Sequence, residues 1–353
     1  MEALRGDFLA GAERNGVPRS IAERIFAQMA AFAEFGFCKS HAAALARTAY
    51  ETLWLRAHYP AALLCALLDN QPMGFYAPEV LIWDALRRGI RVLPPDVTRS
   101  AVGTTLVGDP VHGPVRLGLA SVRGIGRAAA ERIVAARHTR PFCDAADVVR
   151  RAALTPEQVE ALVLVGAFDA LSPAIGRREL LWQLLAVAAE RTPAARLLEA
   201  DEPPVTFTGP DVVEQTFLDY AILGFCLDRH LMELYARQRR ILRVVPAARL
   251  RTLSHGATAR IAGLVVCRQA PPTARGVLFL TLEDETGLVN VIVPPPVREQ
   301  YRAILRRQPV LVIDGRVERE GSLASLVAEE VRPLGRPLGP VAERVRTLSH
   351  DFR

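Results

Sequence analysis

Several motifs that mark common protein classes are absent from this sequence. It contains no C-x-x-C motif, and its five cysteines are widely spaced, which argues against a structural zinc site and a disulfide framework. Arginines and histidines interrupt every long apolar stretch, so no run approaches the roughly 18 apolar residues of a membrane span. The N-terminus also lacks the apolar segment of a signal peptide. We therefore expect a cytoplasmic protein in a reducing compartment, with no membrane partner.

Carboxylates suited to metal-dependent chemistry are also missing. No Asp-x-Asp pair occurs, so the residues predict neither a catalytic site nor a metal site. Glu283, Asp284 and Glu285 precede a turn, and we interpret them as a solvated corner between two strands. The basic residues number 44 against 38 acidic ones, and Lys39 is the only lysine. The positive charge is thus almost entirely guanidinium, which suits phosphate binding.

The chain is long enough for two or three domains, and its pattern changes from helical to strand-like. We predict a multidomain protein, first α and then β, with a C-terminal barrel. The predicted segments are helical residues 1–100, a hairpin or linker at 101–114, a helical unit at 115–189, a linker and helical lead-in at 190–256, a β domain at 257–335, and a tail at 336–353.

The helical prediction depends on apolar spacing and on helix-end signals. Ile21, Ile25 and Met29 recur at helical intervals. Gly89 follows an apolar stretch at a position typical of a helix C-terminus. Thr155 before Pro156 has the pattern of a helix N-cap followed by proline at the first helical position.

A glycine turn in the helical unit suggests a phosphate-binding function. Gly124, Ile125 and Gly126 precede a predicted helix, and Arg123 and Arg127 flank them. Glycines permit a sharp bend, and the missing Cβ atoms let a phosphate approach the N–H groups at the helix start. This context predicts a duplicated helix-hairpin-helix unit that grips the DNA backbone without reading sequence; a purely structural hairpin is the alternative.

The C-terminal part has the element order of an oligonucleotide/oligosaccharide-binding (OB) barrel. Three strand-like runs precede a helix at 294–307, and two more follow it. We predict that Arg268, Arg275, Arg316 and Phe279 contact single-stranded DNA, with Phe279 and Tyr301 as the aromatic side chains available for stacking. Phe279 in the core, and a barrel used for protein docking, remain open alternatives. The arginines of the barrel include Arg260, Arg268, Arg275, Arg298, Arg302, Arg306, Arg307, Arg316 and Arg319.

Five stretches in order resemble the bacterial C-family DNA polymerases, the class of the polymerase III α-subunit. FAEFGFCKSHAAALARTAYETLWLRAHYPAALLCALL is similar to the helical fingers-side segment of that family. NQPMGFYAPEVLIWDALRRGIRVLPPDV resembles its error-prone branch. VRLGLASVRGIGRAAAERIVAAR resembles its helix-hairpin-helix domain, DYAILGFCLDRHLMELYARQR its lead-in, and LFLTLEDETGLVNVIV its central barrel strands.

The resemblance implies a DNA-binding C-terminal portion of an error-prone polymerase that acts in replication or damage-tolerant repair synthesis. Lys39 and Arg47 would be nucleotide-phosphate contacts in the intact enzyme. The palm of the family uses magnesium, and we expect the palm and its cofactor to lie outside this chain. The missing polymerase portion and repair accessory proteins are the implied partners besides DNA. A recruitment module of a repair complex and an inactive remnant of a truncated gene are the alternative functions.

Overall fold

The computed structural model describes residues 4–34, 39–74, 76–189, 207–321, 323–335 and 350–352. The chain divides into two compact units, residues 1–58 and 59–353. The predicted helical segment 1–100 therefore spans both units.

The first unit consists of three helices: α1 (Arg5–Arg14), α2 (Arg19–Glu34) and α3 (Lys39–His58). Helices α1 and α2 pack together through Phe8 and Phe26, whose ring centroids lie 5.5 Å apart. The predicted apolar stripe on α2 is largely exposed, since Ile21, Ile25 and Met29 are each more than 40% accessible. Helix α3 has no buried residue at all among those described.

The second unit begins with two helices packed on a small sheet. Helices α4 (Pro60–Asp69) and α5 (Pro78–Arg87) are followed by β1 (Val92–Leu93), β2 (Thr105–Leu106) and β3 (Val115–Arg116). Gly89 ends α5 with φ +82°, as its position in the sequence predicts. Strand β3 lies between β1, to which it is parallel, and β2, to which it is antiparallel. Residues 101–114 are thus a hairpin within this sheet, not a free linker.

Four helices form the next part: α6 (Gly126–Thr139), α7 (Ala145–Arg151), α8 (Pro156–Leu164) and α9 (Arg177–Ala189). Their shared core includes the fully buried side chains of Ile133, Leu162 and Phe168. Thr155 caps α8 in a capping box with Gln158, which satisfies backbone N–H groups at both positions. The predicted helix start is therefore found where the sequence indicates it.

The lead-in contains α10 (Val212–Ile222), α11 (Ala236–Ile241) and α12 (Ala247–Leu250), with a 3₁₀ turn at Leu231–Tyr235. The predicted linker at 190–206 lies outside the described residues. The 3₁₀ turn and α10 pack on the outer faces of two barrel strands, where Met232 and Phe217 meet Leu264 and Val312. The barrel is thereby held against the helical part through an apolar layer.

The C-terminal part is a closed five-stranded barrel. Its strands are β4 (Thr258–Gln269), β5 (Leu278–Asp284), β6 (Gly287–Val293), β7 (Val310–Glu320) and β8 (Leu323–Pro333). The order β5-β6-β8-β7-β4 is closed by pairing of β4 with β5, and β6 runs parallel to β8. Two short helices, α13 (Pro295–Gln300) and α14 (Arg302–Arg307), connect β6 to β7, as the OB-fold order predicts. Within the predicted tail, β9 (His350–Phe352) pairs in parallel with the end of β4.

The acidic corner at the end of β5 is buried, so its prediction as a solvated turn is wrong. Glu283 is fully buried and pairs with Arg87 of α5 at 2.9 Å. Asp284 is 2% exposed, pairs with Arg239 at 3.3 Å and accepts a hydrogen bond from the Ala247 N–H at 2.9 Å. Arg87 and Arg239 supply the charges that make burial possible. These contacts join α5, α11 and the barrel.

Candidate nucleic-acid interface

The turn before α6 has a geometry suited to binding a phosphate of the DNA backbone. Gly124 and Gly126 adopt φ values of +91° and +61°, which favour glycine. A Cβ atom built at either position would meet no protein atom within 4 Å. Within the described residues, no hydrogen bond involves the N–H of Gly124 or Gly126. Both glycines are exposed, so two N–H donors without a partner among the described residues lie at the start of a helix, where the helix dipole favours an anion.

The side chains around this turn have different roles. Ile125 is 3% exposed and belongs to the helical core, and its N–H is bonded to the Val122 carbonyl at 3.1 Å. Ile125 therefore packs in the core, and its predicted DNA contact stays a prediction. Arg127 is exposed and pairs with Glu131 at 2.9 Å along α6. Arg123 is exposed and donates to the Ala221 carbonyl, which ties the turn to α10.

The second hairpin of the helical unit is closed by its own side chains. Gly166 has φ +77°, but a Cβ there would lie 2.1 Å from Nη2 of Arg177. That guanidinium pairs with Asp169 at 2.7 Å and donates to the Leu164 carbonyl at 3.0 Å. The site that a phosphate would occupy is thus filled by arginine. Of the two hairpins, the one at Gly124–Gly126 is open.

The arginines predicted for the barrel differ in how they are held. Arg268 is partly buried and donates to the Leu305 and Gln308 carbonyls, each at 2.8 Å. Arg316 is exposed but pairs with Glu329 on the neighbouring strand at 2.8 Å. Arg275 is exposed with φ +50°, and no hydrogen bond or ion pair involves it within the described residues. Arg275 is therefore the most available of the three for a phosphate.

Phe279 points outward from β5 and is 37% exposed. It lies opposite Ile292 on β6 and Gln269 on β4. The alternative of a core position is excluded by this exposure. An exposed ring on the barrel surface is available to stack on a base.

The two residues predicted near a nucleotide lie on α3. Lys39 begins this helix and is exposed. Arg47 forms an ion pair with Glu51 at 2.7 Å, and the hydrogen bond that Arg47 donates to the Glu51 carboxylate raises the pKa of Arg47 above its usual value. Both side chains are solvent-accessible, so either could reach a phosphate.

The ionisable groups with strongly shifted pKa values are buried where the helices pack against the barrel, and they do not lie at the surface. Burial raises the pKa of Glu79 to about 8, and the Tyr220 hydroxyl forms a hydrogen bond with its carboxyl group. Burial likewise raises the pKa of Glu283 to about 7. His230 is buried beside Trp83, and desolvation lowers its pKa to about 3. Glu79 contacts Tyr220, Glu283 pairs with Arg87, and His230 packs against Trp83, which indicates a structural role.

Across the described part of the chain, no cluster of three or more His, Cys, Asp or Glu side chains could hold a metal ion. No helix in those ranges has both the length and the apolar character to cross a bilayer.

Three of the barrel arginines named from the sequence form a group that the sequence analysis did not single out. Arg298, Arg302 and Arg306 lie four residues apart along α13 and α14 and line a cleft beside β4. The four-residue spacing was visible in the sequence and places side chains one helical turn apart. The cleft itself depends on the packing of the β4–β5 loop, which the spacing does not reveal.

Family models match the two parts that the geometry distinguishes. Residues 89–180 match the helix-hairpin-helix motif, and residues 259–334 match the OB-fold nucleic acid binding domain. The fold and the open hairpin thus define a nucleic-acid-binding protein.

The sequence relatives identify the family more closely. The chain is 42% identical over 352 residues to the error-prone DNA polymerase of Burkholderia pseudomallei, covering 98% of the chain and 32% of that protein. It is 41% identical to the error-prone DNA polymerase of Alkalilimnicola ehrlichii, covering 97% of the chain and 33% of that protein. The chain is similar to a C-terminal portion of error-prone DNA polymerases and spans about a third of the length of these relatives.

Among solved structures, asparaginyl-tRNA synthetase from Pyrococcus horikoshii aligns with 21% identity and a TM-score of 0.22, covering 25% of this chain and 22% of that chain.

Proposed function

We propose that this chain holds DNA within an error-prone polymerase during damage-tolerant synthesis, with the Gly124–Gly126 hairpin on the duplex backbone. The observation that carries the proposal is the pair of exposed, positive-φ glycines whose N–H groups form no hydrogen bond within the described residues. Such donors at a helix start bind phosphate oxygens without regard to base sequence. The contrast with Gly166, which Arg177 covers, supports a specific role for the open hairpin.

The barrel would bind the single-stranded template. Arg275 supplies an unpaired guanidinium, and Phe279 supplies an exposed ring beside it in the β4–β5 region. Single-strand binders combine cations that follow the backbone with aromatic side chains that stack on bases. With one such ring, the barrel would depend more on phosphate contacts than on stacking.

The chemistry of synthesis would be carried by another part of the polymerase. Phosphoryl transfer needs metal ions held by clustered carboxylates, and the described residues hold no such cluster. We therefore assign this portion to binding, with magnesium held elsewhere in the enzyme. Lys39 and Arg47 would approach the nucleotide phosphates only in the complete polymerase.

Exposed apolar side chains on α3 support an interface with a further protein part. Leu45, Tyr50, Leu53 and Trp54 are all more than 40% accessible on one 20-residue helix. Large exposed apolar residues of this kind mark interaction surfaces. The rest of the polymerase and its accessory proteins in the cytoplasm are the partners we propose. This same observation favours the second candidate function, a recruitment module that binds proteins and not DNA.

Binding to a primed template at several salt concentrations separates the two functions. A DNA-holding portion should bind with a logarithmic affinity that falls linearly with log salt, at a slope of about −0.9 for each duplex phosphate contact. The same sample should add no nucleotide in magnesium. A recruitment module would show no salt-dependent DNA affinity, and incorporation by the purified chain would overturn the assignment to binding alone.

A further inference from the structure

The barrel carries a cationic cleft that is distinct from the exposed ring of Phe279. The cleft encloses about 380 Å³ between the β4–β5 loop and α14. Leu278 and Leu305, both nearly buried, form its apolar floor. Arg298, Arg302 and Arg306 stand around it.

The charge of Arg302 and Arg306 in this cleft is poorly neutralised, in contrast to that of Arg260 and Arg332. Arg260 and Arg332 share Asp314, at 2.6 Å and 2.5 Å. At the cleft, Arg302 pairs with Glu299 at 3.7 Å, and both side chains are more than 60% exposed, so water screens this pair strongly. Arg306 has no hydrogen bond or ion pair within the described residues. The cleft is therefore a local concentration of positive charge.

The loop beside the cleft is built to hold its shape. Arg298 donates to the Gly276 carbonyl at 2.9 Å and ties the loop to α13. Arg268 fixes the end of α14 through the Leu305 and Gln308 carbonyls. Arg275, next to Gly276, is held in a left-handed conformation that is unfavourable for a residue with a side chain. Strain of this kind persists where the surroundings impose it, and it is concentrated at functional sites.

We propose that this cleft binds successive phosphates of single-stranded DNA, with the apolar floor receiving a deoxyribose. Arg302 and Arg306 lie one helical turn apart and present two planar, permanently charged groups. The walls exclude water from one side, which strengthens the attraction to an anion. This inference rests on the proposed function of the barrel and names the surface that performs it.

The test compares single-strand binding by the unmodified chain with that of the double variant Arg302→Ala, Arg306→Ala, using a fluorescent oligothymidine. Each lost contact should flatten the salt slope by about 0.7, so the double variant should lose about 1.4. At 0.1 M salt this corresponds to an affinity loss of about 25-fold. The double variant Arg14→Ala, Arg24→Ala removes the same charge from exposed positions on α1 and α2 and should change affinity less than twofold.

Two further arms make the result decisive. The variant Arg302→Lys, Arg306→Lys keeps both charges and should recover most of the slope, whereas duplex affinity should remain unchanged in all variants. An alanine double variant with the original slope and affinity would overturn the cleft as the site. Absence of salt-dependent single-strand binding by the unmodified chain would instead refute the proposed function of the barrel.

Discussion

Replacing Glu79 with glutamine should make the free energy of unfolding less dependent on pH. Glu79 lies on α5, where this helix packs against α10 and the barrel. Glu79 is 7% exposed, and its carboxyl group contacts the Tyr220 hydroxyl, which also accepts the Leu231 N–H at 3.3 Å. Burial raises the pKa of Glu79 from 4.5 to about 8, so the folded protein holds this carboxyl protonated at neutral pH. Glutamine has nearly the same shape as the protonated acid and cannot ionise.

The sign of the effect follows from the direction of this shift. Because the folded-state pKa of Glu79 is above the unfolded value, its stabilising contribution is complete below pH 4.5 and is lost as pH rises towards 8. Between those limits the loss is about 1 kcal/mol for each pH unit. The free energy of unfolding of Glu79→Gln should therefore match that of the unmodified protein near pH 5. Near pH 8 it should be larger by on the order of 3 kcal/mol.

Urea unfolding followed by circular dichroism at pH 5, 6, 7 and 8 measures this difference. Glu283 has a raised pKa and His230 a lowered one, and both groups are present in both proteins. Glu160→Gln, at an exposed position on α8, is the matched control for the change from carboxyl to amide. If the difference in unfolding free energy between Glu79→Gln and the unmodified protein is the same at all four pH values, the folded protein accommodates the charged carboxylate. That result would refute the reasoning.

Two further predictions concern the ion pair between α5 and the barrel, and the barrel surface. Arg87→Met leaves Glu283 buried without its 2.9 Å partner and should cost about 3 kcal/mol of unfolding free energy at pH 8, and less at pH 5, where Glu283 is protonated. Arg88→Met, which breaks an exposed pair with Asp84, should cost less than about 1 kcal/mol in the same urea titration. Phe279→Ala should weaken oligothymidine binding by about 1 kcal/mol or more if the ring stacks, and equal affinities by fluorescence anisotropy would exclude stacking.

The strands of the barrel and the ends of several helices could be predicted because their signals are local. Alternation from Leu278 to Leu282 places one face inward, and the structure buries that face. Gly89 and Gly166 end helices with positive φ, as their positions indicate. The open hairpin at Gly124–Gly126 was also visible, since it needs only two glycines and a following helix.

The remaining features depend on contacts between distant parts of the chain. Glu283 and Asp284 have the composition of a solvated corner, but Arg87 lies 196 residues away from Glu283 and makes its burial possible. In the small sheet Val92 pairs in parallel with Val115. Both strands are too short to show the alternation of apolar and polar residues by which a strand is recognised in a sequence. Arg177 closes the second hairpin from the following helix, which no local pattern reveals. Sequence patterns predicted the elements, while long-range ion pairs decided which surfaces are free.

The measurement that tests the central claim most directly is the duplex affinity of Gly126→Ala. Gly126 and Gly89 both have positive φ and open space at the Cβ position, so alanine should strain each backbone by a similar 1–2 kcal/mol. Only at Gly126 would the added methyl group stand between the N–H groups and a phosphate. Charge-assisted hydrogen bonds contribute about 1.5–3 kcal/mol each, so losing one should weaken duplex binding about tenfold or more.

Both variants should be measured by fluorescence anisotropy on the same labelled duplex, after circular dichroism has shown equal helix content. The account predicts a tenfold or greater loss for Gly126→Ala, equal for all duplex sequences, and less than a twofold change for Gly89→Ala. Equal duplex affinities for the two variants would contradict the claim that the Gly124–Gly126 hairpin holds the DNA backbone.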